Sequence, residues 1–135
     1  MARAYGPGLG LAMNPRAWIF VGCLWAALGV ALGALGAHLL KDVLAPEQLA
    51  IWDTAVRYQL VHALGLIFFG LFSERTNGKE YPGIWLLLGS VFFSGSLYAL
   101  CFAFLKNLMG PLTPIGGLMM LLGWLSFARE ALRRR

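Results

Sequence analysis

Apolar residues in this chain run in long unbroken stretches. They show neither the alternation of a half-buried strand nor the polar face of a soluble amphipathic helix. Four stretches, over residues 17–40, 54–73, 81–105 and 107–128, carry almost no Asp, Glu, Lys or Arg. Each reaches the ~20 residues that a helix needs to cross a hydrocarbon core ~30 Å thick. Lipid cannot satisfy an open backbone, so spans of this length are predicted to be helices. The absence of alternation argues against barrel strands. The predicted fold is an all-α membrane protein, a bundle of four transmembrane helices over residues 17–128. The first stretch is too long for a signal-peptide core and lacks a cleavage pattern, so it is expected to be retained.

The segments between the spans add detail. Residues 1–16, with Gly6-Pro7-Gly8 and Gly10, read as a flexible cytoplasmic leader, and residues 129–135 as a basic cytoplasmic tail. Pro46 suits a first helical position and Glu47 complements the positive end of a helix. Leu49, Trp52 and Val56 then share one side, so a short interfacial helix is expected to lead into the second span. Asp53 and Arg57, four residues apart, are placed to pair and so ease Arg57 at the membrane edge.

Composition agrees with the pattern. Of 135 residues, 59% are hydrophobic and 13% charged. Soluble domains carry ~25% charged residues, so an ordinary globular domain is excluded. The net charge of +5 sits at the ends of the apolar stretches and shows no basic face interleaved with aromatics, so nucleic acid is not a predicted partner. Four spans place Arg3, Arg16, Arg75, Lys79, Arg129, Arg133, Arg134 and Arg135 on one side and Lys41, Arg57 and Lys106 on the other. Eight against three is a positive-inside bias that predicts both termini in the cytoplasm (N-in, C-in).

The first span has a readable wheel. Gly22, Ala26, Gly29, Gly33 and Gly36 form a helix-packing stripe that contains a GxxxG pair. Ala27, Ala31, Ala34 and His38 form a second small-residue stripe. Val21, Leu24, Trp25, Leu28, Leu32, Leu35 and Leu39 gather on the remaining, lipid-facing side. Two protein-facing sides would put this helix at the centre of the bundle. The alternative is that the glycine stripe mates with another chain. Cys23 and Cys101 fall at different depths, which predicts two separate buried thiols and no disulfide.

The uncharged polar groups converge on the extracytoplasmic half. His38, Tyr58, Gln59, His62, Ser94, Tyr98 and Thr113 make up the candidate polar cluster, while the cytoplasmic half reads as almost wholly apolar. Intramembrane polar groups point either to a functional site or to interhelical hydrogen bonds that fix the bundle. A haem between His38 and His62 is disfavoured, because His62 should lie ~6–7 Å deeper. Zinc needs three or four ligands, and only two histidines exist. No nucleophile–base pair, paired carboxylates or nucleotide cradle is visible, so no metal, cofactor or catalytic residue is assigned and no enzyme is predicted.

Several motifs carry a resemblance. They are Gly33-Ala34-Leu35-Gly36-Ala37-His38, Trp52-Asp53-Thr54-Ala55, Tyr58-Gln59-Leu60-Val61-His62-Ala63-Leu64-Gly65, Phe93-Ser94-Gly95-Ser96-Leu97-Tyr98, Thr113-Pro114-Ile115-Gly116-Gly117 and Gly123-Trp124. Together they resemble the transmembrane protein 256-like family, small membrane proteins of the YgdD and YwdK type. The resemblance implies a four-helix protein of the bacterial inner membrane and carries over no reaction, cofactor or catalytic residue. The expected function is that of a non-enzymatic membrane protein in the lipid bilayer, an accessory or stabilising subunit packed on other membrane helices or a small homo-oligomer. The alternative is a binder of a lipid, quinone or other small hydrophobic ligand in the polar cluster.

Overall fold

The computed structural model describes residues 13–76, 79–104 and 106–133. These form four α-helices, α1 (Pro15–His38), α2 (Pro46–Thr76), α3 (Tyr81–Cys101) and α4 (Lys106–Leu132), with a 3-10 turn at Leu40–Asp42. All four are long and apolar enough to cross a membrane. The described residues contain no strand. Most of the expected leader (residues 1–12) and the last two arginines, Arg134 and Arg135, lie outside the described residues.

Local chemistry sets the helix ends. Asn14 accepts the backbone N–H of Arg16, and Pro15 opens α1 where its missing N–H costs nothing. Glu80 ties this entry to the α2–α3 connection, its carboxylate accepting the Met13 N–H at 2.7 Å. At the opposite end Pro46 opens α2, and the Gln48 side chain reaches back to accept the Ala45 N–H at 2.9 Å. The expected interfacial helix and the second span are one continuous helix of 31 residues. At a rise of ~1.5 Å per residue it is far longer than a bilayer core. The third span was expected to reach residue 105, but α3 stops at Cys101. The chain reverses there through Ala103, whose φ of 53° is left-handed.

α2 packs on both α1 and α3, and α3 also packs on α4. The middle of the array is therefore α2 and α3, with α1 on one flank, which corrects the expectation of a central α1. The cause lies in α1's own wheel. Gly22, Gly29 and Gly36 are buried against α2, and a Cβ on Gly22 would stand 2.9 Å from the Ala63 carbonyl oxygen. The glycine stripe thus mates within the chain. The second stripe does not face protein: Ala27, Ala31, Ala34 and His38 are exposed. Of the bulky residues assigned to lipid, Val21, Trp25, Leu32 and Leu35 turn half-buried toward the neighbouring helices, while Leu24, Leu28 and Leu39 face outward. Cys101 is buried as expected, but Cys23 lies exposed on the outer face of α1, and both thiols are free.

A second glycine seam joins α3 to α4 through Gly89, Gly116 and Gly123. The apolar core has two parts. Trp18, Leu66, Phe69 and Leu86 fill the end where α1 begins, and Leu44, Trp52 and Cys101 fill the other. Arg16 and Glu74 form an ion pair at 3.8 Å, whereas Asp53 and Arg57 do not pair. Both are exposed, and water or headgroups serve them as well as each other.

Candidate functional site

Between the two apolar clusters lies a layer of hydrogen-bonding side chains. At its centre is Gln59 on α2, with no exposed surface. Its amide donates to the Trp25 carbonyl on α1 at 3.0 Å, and its carbonyl oxygen accepts the Tyr98 hydroxyl from α3 at 2.8 Å. One side chain therefore ties three helices. The Tyr98 ring packs on Trp52 at a centroid distance of 4.5 Å, and the Trp52 indole N–H donates to the Leu32 carbonyl at 2.9 Å. Ser94 donates to the Ala55 carbonyl at 2.8 Å, closing α3 on α2. Trp25 donates its own N–H to Ser90 on α3 at 3.0 Å, so α1 reaches across the array.

His62 belongs to a second group. One turn below Tyr58, its Nδ1 is 2.7 Å from the Tyr58 carbonyl, and its Nε2 lies 3.1 Å from the Trp124 indole N–H on α4. An indole N–H can only donate, so Nε2 accepts and Nδ1 carries the proton. The imidazole is neutral with both nitrogens engaged. Tyr58 lies parallel to this ring, at 6.2 Å and 9°, and packs on Phe93 of α3. A third contact joins Ser96 on α3 to Thr113 on α4 at 2.7 Å.

The seven residues of the expected cluster thus divide. Gln59 and Tyr98 bond to each other, Ser94 bonds instead to the Ala55 backbone, Tyr58 and His62 form a second group, and Thr113 joins a third. His38 joins none of them, because it is exposed at the end of α1 on the stripe that faces outward. Sequence reasoning missed Trp25, Trp52, Ser90, Ser96 and Trp124. For Trp52 and Trp124 the usable signal is the glycine opposite. A Cβ on Gly36 would stand 2.6 Å from Trp52, and one on Gly65 3.0 Å from Trp124. Trp25 gave no such signal and was grouped with the bulky face. The other half of the bundle is also less apolar than expected, since Glu130 near the end of α4 and Ser73 on α2 are buried.

Among the described residues, no group of three His, Cys, Asp or Glu side chains could hold a metal ion. The serine hydroxyls of the layer donate to backbone carbonyls and face no base. Trp18 is the exception to the general pairing, its buried indole N–H finding no acceptor among the described residues.

Comparison with known proteins adds the context. A family model described as "Protein of unknown function (DUF423)" matches residues 32–117, a window that contains Gln59, His62, Ser94, Tyr98 and Thr113. A UPF0382 membrane protein of Staphylococcus haemolyticus is 42% identical over 111 residues, covering 82% of this chain and 90% of that protein. The UPF0382 membrane protein YwdK of Bacillus subtilis is 34% identical over 121 residues, covering 87% and 98%. A UPF0382 membrane protein of Schizosaccharomyces pombe is 43% identical over 110 residues, covering 77% and 92%. No solved structure matches the chain. The names of these relatives place them in a membrane and state no reaction.

Proposed function

This chain belongs to the DUF423 family, that of the UPF0382 membrane proteins, and from that premise we propose a non-enzymatic role exercised through helix packing. The protein acts as an accessory or stabilising subunit of a larger membrane assembly, or as a small homo-oligomer. It sits in the bacterial inner membrane with both termini in the cytoplasm. Support for that orientation is the bundle end that gathers Arg16, Arg75, Lys79, Arg129 and Arg133, against Lys41, Arg57 and Lys106 at the other.

The observation that carries this reading is how the polar layer is used. Gln59, His62, Ser94, Tyr98, Ser96 and Thr113 bond to one another's helices or to backbone carbonyls. Groups so engaged fix helix register and are not free for chemistry. A hydrophobic ligand held by the same cluster would have to displace those bonds. A flank helix with a small-residue outer face, Ala27, Ala31 and Ala34, lets a neighbouring helix approach closely.

In native membranes, Ala31→Cys in a Cys23→Ser background is expected to give disulfide crosslinks on oxidation, either between copies or to a partner. Native mass spectrometry after purification in mild detergent is expected to show the same complex. A strictly monomeric protein with no crosslink from α1 and no co-purifying chain overturns the proposal.

A further inference from the structure

α4 meets α2 in two ways. Near the basic end Phe127 rests against Phe69 and Phe72. Nearer the middle, the Trp124 indole lies over Gly65 and donates to His62. Gly65 and His62 are three residues apart on α2, so they form one seat, with a flat glycine floor and an imidazole acceptor at its rim. The indole–imidazole bond is a polar tie between α2 and α4.

The tie differs in kind from the other interhelical bonds. Gln59–Tyr98, Ser96–Thr113 and Trp25–Ser90 join groups that keep their charge across the biological pH range. Histidine is the side chain whose charge ordinarily changes between about pH 5 and 8. Its role here depends on one lone pair, that of Nε2. Nδ1–H is already committed to the Tyr58 carbonyl.

We propose that the His62–Trp124 contact is an acid-released latch that holds α4 against α2. In the latched state Nε2 accepts the indole N–H. A proton taken from water onto Nε2 turns the acceptor into a second donor, facing a donor. The bond is lost, no atom of Trp124 can replace it, and the imidazolium is left in an apolar seat. Both effects favour withdrawal of Trp124 from Gly65 and a swing of α4 about its Phe127 contact.

The groups around the ring oppose this only weakly. Tyr58 on α2 stacks beside it, Trp124 on α4 covers it, and Phe93 on α3 packs across Tyr58. Tyr58 is the one titratable group among them, and no ion pair to His62 is found among the described residues. Tyr58 is itself 42% exposed, so a single side chain separates the imidazole from the outside of the bundle.

The test uses the full chain in nanodiscs. The Trp124 indole N–H and the His62 ring nitrogens are followed by nitrogen-15 NMR from about pH 8 to 4.5. Spin labels at the exposed positions Val61 and Leu125 report the α2–α4 separation. At the alkaline end His62 is expected as the Nδ1–H tautomer. On acidification its signature, the Trp124 resonance and the label distance are expected to move together and reversibly. His62→Gln keeps an acceptor for the indole and does not titrate, so the response should vanish. Should that variant fail to fold, Trp124→Phe, which keeps a ring and lacks the donor, supplies the same control. An invariant Trp124 resonance and label distance overturn the latch, and so does an acid response that persists in the control variant.

Discussion

Replacing Gly116 by alanine is expected to separate α3 from α4. A Cβ at this position would run into the Phe93 backbone nitrogen and stand 2.8 Å from the Gly89 carbonyl oxygen. Both neighbours are backbone, so neither can rotate away and the two helices must move apart. Overpacking a well-packed core costs typically ~1–3 kcal/mol, and an obstacle made of main chain belongs at or beyond the upper end of that range. The displacement would also pull Thr113 from Ser96 and Trp124 from His62.

Two controls distinguish this from a general intolerance of substitution. At Gly29 the nearest atom is the end of the Leu60 side chain, at 2.8 Å, which can change rotamer. Gly29→Ala is expected to cost ~1 kcal/mol or less. Around Gly95 and Gly110 there is nothing within 4 Å, so alanine there should be neutral or stabilising by up to ~1 kcal/mol through helix propensity. Thermal unfolding in detergent, followed by circular dichroism, ranks the variants. Equal melting temperatures for Gly116→Ala and Gly95→Ala would refute the close approach of α3 and α4.

The same glycines explain how much of this fold the sequence displays. Span number follows from hydrocarbon thickness, and the GxxxG stripe of α1 stands out because Gly22, Gly29, Gly33 and Gly36 fall on one side of a wheel. That stripe says that something approaches closely, and it does not say what. Here the neighbour is α2 of the same chain. The second stripe of α1 misled for a related reason. Alanine is small enough for a helix interface and apolar enough for lipid, so Ala27, Ala31 and Ala34 carry no direction of their own.

The polar layer was legible by residue type and illegible by partner. Depth along four helices predicted that Gln59, His62, Ser94 and Tyr98 would all lie in the extracytoplasmic half. Their actual partners are mostly backbone carbonyls, those of Trp25, Ala55 and Tyr58, which sequence cannot flag because every residue has one. His38 belongs to the same half and points the wrong way. Its stripe was read as protein-facing when it is the outer surface of a flank helix. Trp25 was grouped by bulk with lipid-facing leucines, yet its indole N–H needs an acceptor and finds Ser90.

The loss of Gln59 is expected to be the most damaging single change within the layer. Gln59→Leu keeps the volume and removes both hydrogen-bonding groups. Interhelical bonds in membranes average ~0.6 kcal/mol and reach ~1.7, so the bonds alone would cost little. A buried donor left unsatisfied costs ~1–3 kcal/mol, and the Tyr98 hydroxyl would be such a donor. The second magnitude exceeds the first, so Gln59→Leu should destabilise by ~2 kcal/mol or more. Tyr98→Phe leaves only the Gln59 oxygen unserved, with its amide still held by Trp25, and should cost about half as much. In the double variant no hydroxyl remains to be orphaned. It should therefore be more stable than the sum of the singles predicts, by ~1 kcal/mol in a double-mutant cycle. Additivity within ~0.3 kcal/mol would show that the two groups do not depend on one another. A coupling of the expected sign has a consequence beyond its size. Gln59 meets α1 through one end of its amide and α3 through the other, so any slip of either helix along α2 breaks a bond that lipid cannot replace.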